Sequence, residues 1–253
     1  MNNLYPLLVF LLGICIGSFI NVFVDRFLTG KSILKGRSYC DSCKKTLAFY
    51  DLIPILSYFF LKGKCRYCKS KISPYLPFVE LITGVLYVSV LLFLPNKDLP
   101  SIIYHLSLVS FLFVIFLVDL KYGVIPDKIL FPAILASLVY LFTIHNSLFI
   151  IHFLSSAGAF LFFLFLFLAT RGKGIGFGDV KLSFLMGLLL GFPNIVLSLY
   201  IAFLTGAIVG LILILWGKRR FFGGKIPFGP FLVLGTFLAL FWGNSLIRLV
   251  FPF

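Results

Sequence analysis

SLVSFLFVIFLVD (residues 107–119) and GKGIGFGDVKLSFLMGLLLG (residues 172–191) each set an aspartate against an apolar run, Asp119 at the end of the first and Asp179 near the start of the second. A carboxylate at a membrane boundary is expensive to desolvate and marks a site of action. Two of them, each beside a hydrophobic span, point to paired acid/base chemistry.

The rest of the chain is built around such spans. Of its 253 residues 61% are apolar and only 12% charged, with a mean hydropathy of +1.12; a soluble domain would be about one quarter charged. The composition therefore describes an all-α polytopic membrane protein. Eight apolar segments approach the ~20 residues a spanning helix needs: 4–28, 75–95, 101–120, 126–144, 148–169, 179–192, 194–216 and 228–250. The sixth is short and meets the seventh at Gly191-Phe192-Pro193-Asn194, a turn signal. Basic residues mark cytoplasmic loops. Eight spans put all but Lys97 and Arg248 of the 22 Lys and Arg on one side, including Lys31, Lys35, Lys218, Arg219, Arg220 and Lys225. Merging the sixth and seventh spans would move the last basic loop across the membrane. The expected topology therefore has both termini outside. The net charge of +14 follows from insertion and the anionic inner leaflet, without nucleic acid. The first span has no basic leader or small-residue cleavage site and reads as a retained helix.

One sizeable polar segment interrupts the spans. It holds Cys40-Asp-Ser-Cys43 and, 21 residues on, Cys65-Arg-Tyr-Cys68. Two such knuckles, each offering two sulfurs, complete a tetrahedron around zinc. In a cytoplasmic loop the thiols stay reduced. A segment with so little apolar core would draw folding free energy from the metal, so the zinc is expected to be structural. Cys15, alone in the first span, reads as a packing residue, and Ser18 and Asn21 as interhelical hydrogen-bonding groups.

The remaining acids fit ordinary structural roles. Asp41, Asp51 and Asp98 read as solvated loop residues and Asp25 as interfacial beside Arg26. Asp127, after Pro126, suits a helix N-terminus. Asp119 sits at a helix C-terminus, where the dipole opposes its charge. Asp179 closes a track in which Gly172, Gly174, Gly176 and Gly178 alternate; an extended backbone there would present one face without side chains to a docking peptide. By the topology both aspartates lie at one cytoplasmic level, where two carboxylates could share a water. A transporter or ion/proton channel using intramembrane acids stays open as the alternative, as does a zinc-ribbon scaffold that does not need them.

GSFINVFVDR, RSYCDSCKKTLAFYDLIPILSYFFLKGKCRYCKSKISPYLPFVELITG, VDLKYGVIPDKI, GIGFGDVKL and KIPFGPFLVLG together resemble, nearly end to end, the type IV prepilin leader peptidases/N-methyltransferases of the GxGD aspartyl protease class. The resemblance implies a catalytic pair at Asp119 and Asp179. It also implies cleavage of a short basic leader after Gly from prepilins or pseudopilins in the bacterial inner membrane. Methylation of the new N-terminus from S-adenosylmethionine would follow. The unbroken cysteine loop favours the bifunctional form over the shorter archaeal type. The expected organisation is a first helix over 1–28, a cytoplasmic zinc loop over 29–74 associated with methyl transfer, and a peptidase domain over 75–253. Gly174, Gly176 and Gly178 are the expected substrate-binding positions, and Glu80 is the candidate on the methyl-transfer side.

Overall fold

The computed structural model describes residues 4–27, 36–94, 98–144, 146–215 and 226–250. Lys31, Lys35, Lys97, Lys218, Arg219, Arg220 and Lys225, used above to orient the loops, lie outside them. The chain forms two compact units, Met1–Lys97 and Asp98–Phe253.

In the first unit, α1 (Leu4–Arg26) and α3 (Tyr75–Phe93) pair along their length, with the short α2 (Leu56–Phe60) in the loop between them. Gly13 and Gly17, spaced as G-x-x-x-G, set the contact. A Cβ on Gly13 would fall 2.8 Å from the Gly84 Cα, and one on Gly17 2.7 Å from the Glu80 Cα. Without side chains there, the two backbones meet directly, which is how membrane helices gain packing energy when lipid removes the hydrophobic incentive. One turn on, Asn21 Nδ2 donates to the Leu76 carbonyl at 3.0 Å. Gly13 against Gly84, Gly17 against Glu80 and Asn21 against Leu76 define an antiparallel register. Tyr75–Phe93 thus packs with the first helix, whereas the sequence pattern groups it with the later spans.

The second unit contains α4 (Leu99–Tyr122), α5 (Asp127–Thr143), α6 (Asn146–Ala169), α7 (Phe177–Leu190), α8 (Asn194–Leu215) and α9 (Gly229–Val250). Asp98 caps α4, its carboxylate accepting the Ser101 N–H at 3.1 Å. Gly123, in the left-handed region (φ 68°), stops the helix and returns its N–H to the Asp119 carbonyl at 2.7 Å. Helix α7 is central, touching α5, α6, α8 and α9, and Leu182, Leu185, Met186 and Leu188 on it are fully buried. Gly187 admits the backbone of α6 at Ser156, where any Cβ would overlap. The outer surfaces of α6 and α8 carry exposed Leu, Ile and Phe side chains suited to lipid.

The expectation of eight membrane-length helices needs correction. Among the described residues, six helices are long and apolar enough to cross a membrane: Leu4–Arg26, Tyr75–Phe93, Leu99–Tyr122, Ser147–Ala169, Asn194–Leu215 and Gly229–Arg248. The segments read as spans 126–144 and 179–192 also form helices, but of 17 and 14 residues. Helix α7 is clipped at both ends. At its start Gly176 is extended and Asp179 closes a cap; at its end Gly191 takes φ 63° just before Phe192-Pro193.

Candidate active site and metal centre

Asp119 is in the last turn of α4 and Asp179 in the first turn of α7. They are 4% and 7% exposed, and the glycines beside them, Gly229 at Asp119 and Gly178 before Asp179, both face Ile125. Each aspartate is oriented by backbone. The Asp179 Oδ2 accepts the Gly176 N–H at 3.0 Å, so this carboxylate caps its own helix. The Asp119 carboxyl accepts the Gly229 N–H from the start of α9, while its Oδ2 is buried without a partner of its own.

Ile125 holds these pieces in register. A Cβ on Gly178 would come 3.1 Å from the Ile125 Cβ, and one on Gly229 would fall on the Asp119 Oδ2 and lie 3.4 Å from the Ile125 Cδ1. The end of α4 and the starts of α7 and α9 therefore meet around one isoleucine, with two glycines giving the carboxylates their room. Two buried carboxylates are the kind of groups that acid/base chemistry on a water would need.

The glycine track is not one extended strand. Gly172 takes φ 68° in a turn, Gly176 is extended (φ −78°, ψ 151°), and Gly178 already belongs to α7. The cap made by Asp179 on Gly176 is the physical reason: it pulls Phe177 and Gly178 into the helix. Gly174 and Gly176 remain on the accessible side of the site, and Gly178 is half-buried. Asp127 lies in the first turn of α5 and pairs with Lys181 of α7; it is half exposed and points to a different partner than Asp119.

The four cysteines come together in the first unit through two matching knuckles. In the first, Cys40 N–H donates to Lys45 O at 3.0 Å and Lys44 N–H to Cys40 O at 2.8 Å. In the second, Cys65 N–H donates to Ser70 O at 2.8 Å and Lys69 N–H to Cys65 O at 3.0 Å. Lys44 and Lys69 take the same left-handed φ, 58° and 60°. The sulfurs of Cys40, Cys43, Cys65 and Cys68 all lie within 4.8 Å of one another, and those of Cys40 and Cys68 are 3.8 Å apart. A tetrahedron with metal–sulfur bonds of ~2.3 Å has an edge of about 3.8 Å. The Cys43 backbone and the Ser70 hydroxyl hold the Cys40 thiol down at about 6. The Ser70 hydroxyl and backbone also lower Cys68. Against the Lys45 backbone bond, desolvation and the neighbouring Cys68 and Cys40 push Cys43 up to about 11. Four sulfurs this close cannot all be anionic without a cation among them, so the donor set fits a divalent metal ion. Cys15 is exposed on α1 and outside this cluster.

Two loop acids differ in role. Asp51, expected in solvent, is buried: it binds the Arg66 Nε at 2.7 Å and accepts the Ala48 N–H at 3.3 Å. A cation inside the second knuckle draws it inward. Glu80 is also buried, its Oε2 accepting the Ile55 N–H at 2.7 Å and its carboxyl bonded by the Ser18 hydroxyl. It anchors the loop where Ile55 adopts φ 61°.

Residues 11–94 match the bacterial peptidase A24 N-terminal domain, and residues 106–211 match the type IV leader peptidase family. A prepilin leader peptidase/N-methyltransferase of Bacillus subtilis (strain 168) is 32% identical, with 95% of each chain aligned. The chain belongs to the type IV leader peptidase family. Proteins of the same name from Aeromonas hydrophila (31% identical; 97% of this chain and 93% of the relative) and Legionella pneumophila (33%; 84% and 74%) are similar too. No solved structure matches the chain. The match to the N-terminal domain falls within the first unit, and the leader peptidase match takes in both Asp119 and Asp179. Gly229, which donates to Asp119, lies beyond the matched residues. Sequence reasoning passes over Gly229, Ile125 and the Asp51–Arg66 pair; the block KIPFGPFLVLG is visible, but nothing local to it announces an aspartate 110 positions earlier.

Proposed function

We propose that this member of the leader peptidase family is an intramembrane aspartyl endopeptidase. Its substrates would be type IV prepilins or pseudopilins, cut after Gly at the end of a short basic leader. The observation that carries the reading is the convergence of Asp119 and Asp179, from two different helices, into one buried site. One carboxylate, ionised, takes a proton from a water held between them; the oxygen attacks the peptide carbonyl; the other carboxylic acid protonates the departing amine. No covalent enzyme intermediate is required. The accessible Gly174 and Gly176 would line the substrate's approach, and Gly178 would set the spacing behind it.

The positive-inside pattern supports a multi-pass protein of the bacterial inner membrane with this site and the cysteine loop on the cytoplasmic side and both termini outside. Cys40, Cys43, Cys65 and Cys68 would hold a Zn2+ ion with no open coordination position, so its role is to fold the loop. N-methylation of the new N-terminus is the second activity, assigned to the unit that carries this loop. S-adenosylmethionine would supply the methyl group there. Glu80, committed to Ile55 and Ser18, would serve that reaction by holding the loop in place.

The deciding assay is purified protein in detergent with a prepilin-like peptide and S-adenosylmethionine, followed by mass spectrometry. Leader release followed by a gain of one methyl group on the mature peptide is expected. An intact peptide with an active control enzyme present would refute the peptidase reading and favour a transporter. Release without methylation would refute only the second activity.

A further inference from the structure

The loop between α1 and α3 carries a feature that neither metal binding nor packing uses. From Thr46 to Leu61 the sequence is TLAFYDLIPILSYFFL, and its single charged residue, Asp51, is buried against Arg66. The stretch is nevertheless largely on the surface: Phe60 is 83%, Phe49 80% and Phe59 71% exposed, with Leu52 and Leu56 about half exposed. Large apolar side chains gathered in one short segment are costly to leave in water. Cations bracket the segment. Lys44 and Lys45 precede it and Lys62 and Lys64 follow it, with Lys69 and Lys71 just beyond. Asp41 is the one exposed acid of the described loop.

We propose that this segment is a membrane-seating surface, in which Phe49, Leu52, Leu56, Phe59 and Phe60 enter the headgroup region of the bilayer while the flanking lysines bind anionic lipid phosphates. An apolar patch rimmed by lysine is the pattern of interfacial anchors, which sink ~5–10 Å below the headgroups. Each lysine can keep its amine at phosphate level while its methylenes follow the apolar residues inward. The tether agrees with the chemistry, because α1 and α3 at the two ends of the loop are both of membrane-crossing length and composition. The loop therefore starts and ends at the lipid surface. A second copy of the chain is the poorer occupant: a self-complementary interface would bring one row of lysines against another.

The test uses the full-length protein, one copy per nanodisc, in phosphatidylglycerol-containing and in pure phosphatidylcholine bilayers. Trp216 and Trp242 are replaced by Phe, and a single reporter is introduced by Phe59→Trp or Phe60→Trp. The emission should shift to the blue, be quenched by lipids brominated near the top of the acyl chain, and be several-fold less sensitive to iodide than free tryptophan, with the effects larger when phosphatidylglycerol is present. Quenching by iodide and not by brominated lipid means the segment faces water and overturns the proposal. Protection from both quenchers means protein covers it, which also overturns it. The unaltered chain gives a check independent of folding in the variants: photoactivatable lipid should attach within residues 49–60, and attachment confined to the transmembrane helices would refute the seating.

Discussion

At the residue scale, the proposed reaction divides the site's groups into those that would react and those that would hold them. Asp119→Asn and Asp179→Asn should each abolish leader release while leaving insertion intact, since a neutral amide can neither accept a proton from water nor donate one to the leaving amine. Asp127→Asn should keep substantial activity. It removes only the ion pair with Lys181, in which Asp127 is 52% exposed, and such pairs contribute ~0–1 kcal/mol. Activity in Asp119→Asn with none in Asp127→Asn would reverse the assignment. Gly229→Ala is the sharper probe. Its methyl group would clash with the Asp119 Oδ2 and push the carboxylate aside, so kcat should fall by about tenfold or more, with KM little changed. Asp119 and Asp179 are legible in the sequence because a carboxylate that ends or opens an apolar run bears a desolvation cost that packing alone does not repay. Gly229 and Ile125 are not legible, since their roles exist only once three helix ends meet. The Asp51–Arg66 pair is hidden for a similar reason: loop composition suggests solvent, and only the folded knuckle turns Arg66 toward Asp51.

At the scale of elements, the paired knuckles would make the loop depend on the zinc ion proposed for it. Replacing any one of Cys40, Cys43, Cys65 or Cys68 with Ser should reduce bound zinc, measured by elemental analysis, and expose residues 36–74 to proteolysis. Stoichiometric zinc in all four variants would remove the assignment. Acid should act in the same direction. A thiolate must be deprotonated to hold a metal, so protons compete with it for the four sulfurs, and in the metal-free loop the depressed Cys40 and Cys68 thiols lose their stabilising charge as the pH falls. Zinc release should therefore begin on the acid side of neutrality and not on the alkaline side. Around α7, Gly178→Val should slow cleavage by driving a branched side chain into Ile125, while retention of parent rates would show that the contact can relax. The C-x-x-C spacing announces these knuckles in the sequence, because a metal tetrahedron tolerates few arrangements. The extended glycine track does not survive folding, because alternation of glycines permits an extended chain without requiring one, and the cap from Asp179 decides otherwise.

At the scale of the whole molecule, the eight helical segments are readable from hydropathy, but their lengths are not, because hydropathy is blind to where a cap or a left-handed glycine stops a helix. The consequence is mechanical. At 1.5 Å per residue the 14 residues of α7 rise ~21 Å, against ~30 Å of hydrocarbon. Enclosed by α5, α6, α8 and α9, so short a stave leaves its Asp179 end recessed below the surface that its longer neighbours reach, unless the bilayer thins around the whole bundle. The elastic state of the lipid then becomes a variable of the reaction, setting how far a substrate must dip to reach the carboxylates. Proteoliposomes made from a series of phosphatidylcholines, from myristoyl to erucoyl chains, should release leader fastest in the thinner members and progressively slower as the chains lengthen. A rate indifferent to chain length would mean that the neighbouring helices insulate the short one completely. The declining rate expected for this fold would make acyl-chain length a dial on the catalytic step, turned by the membrane and not by any group of the protein.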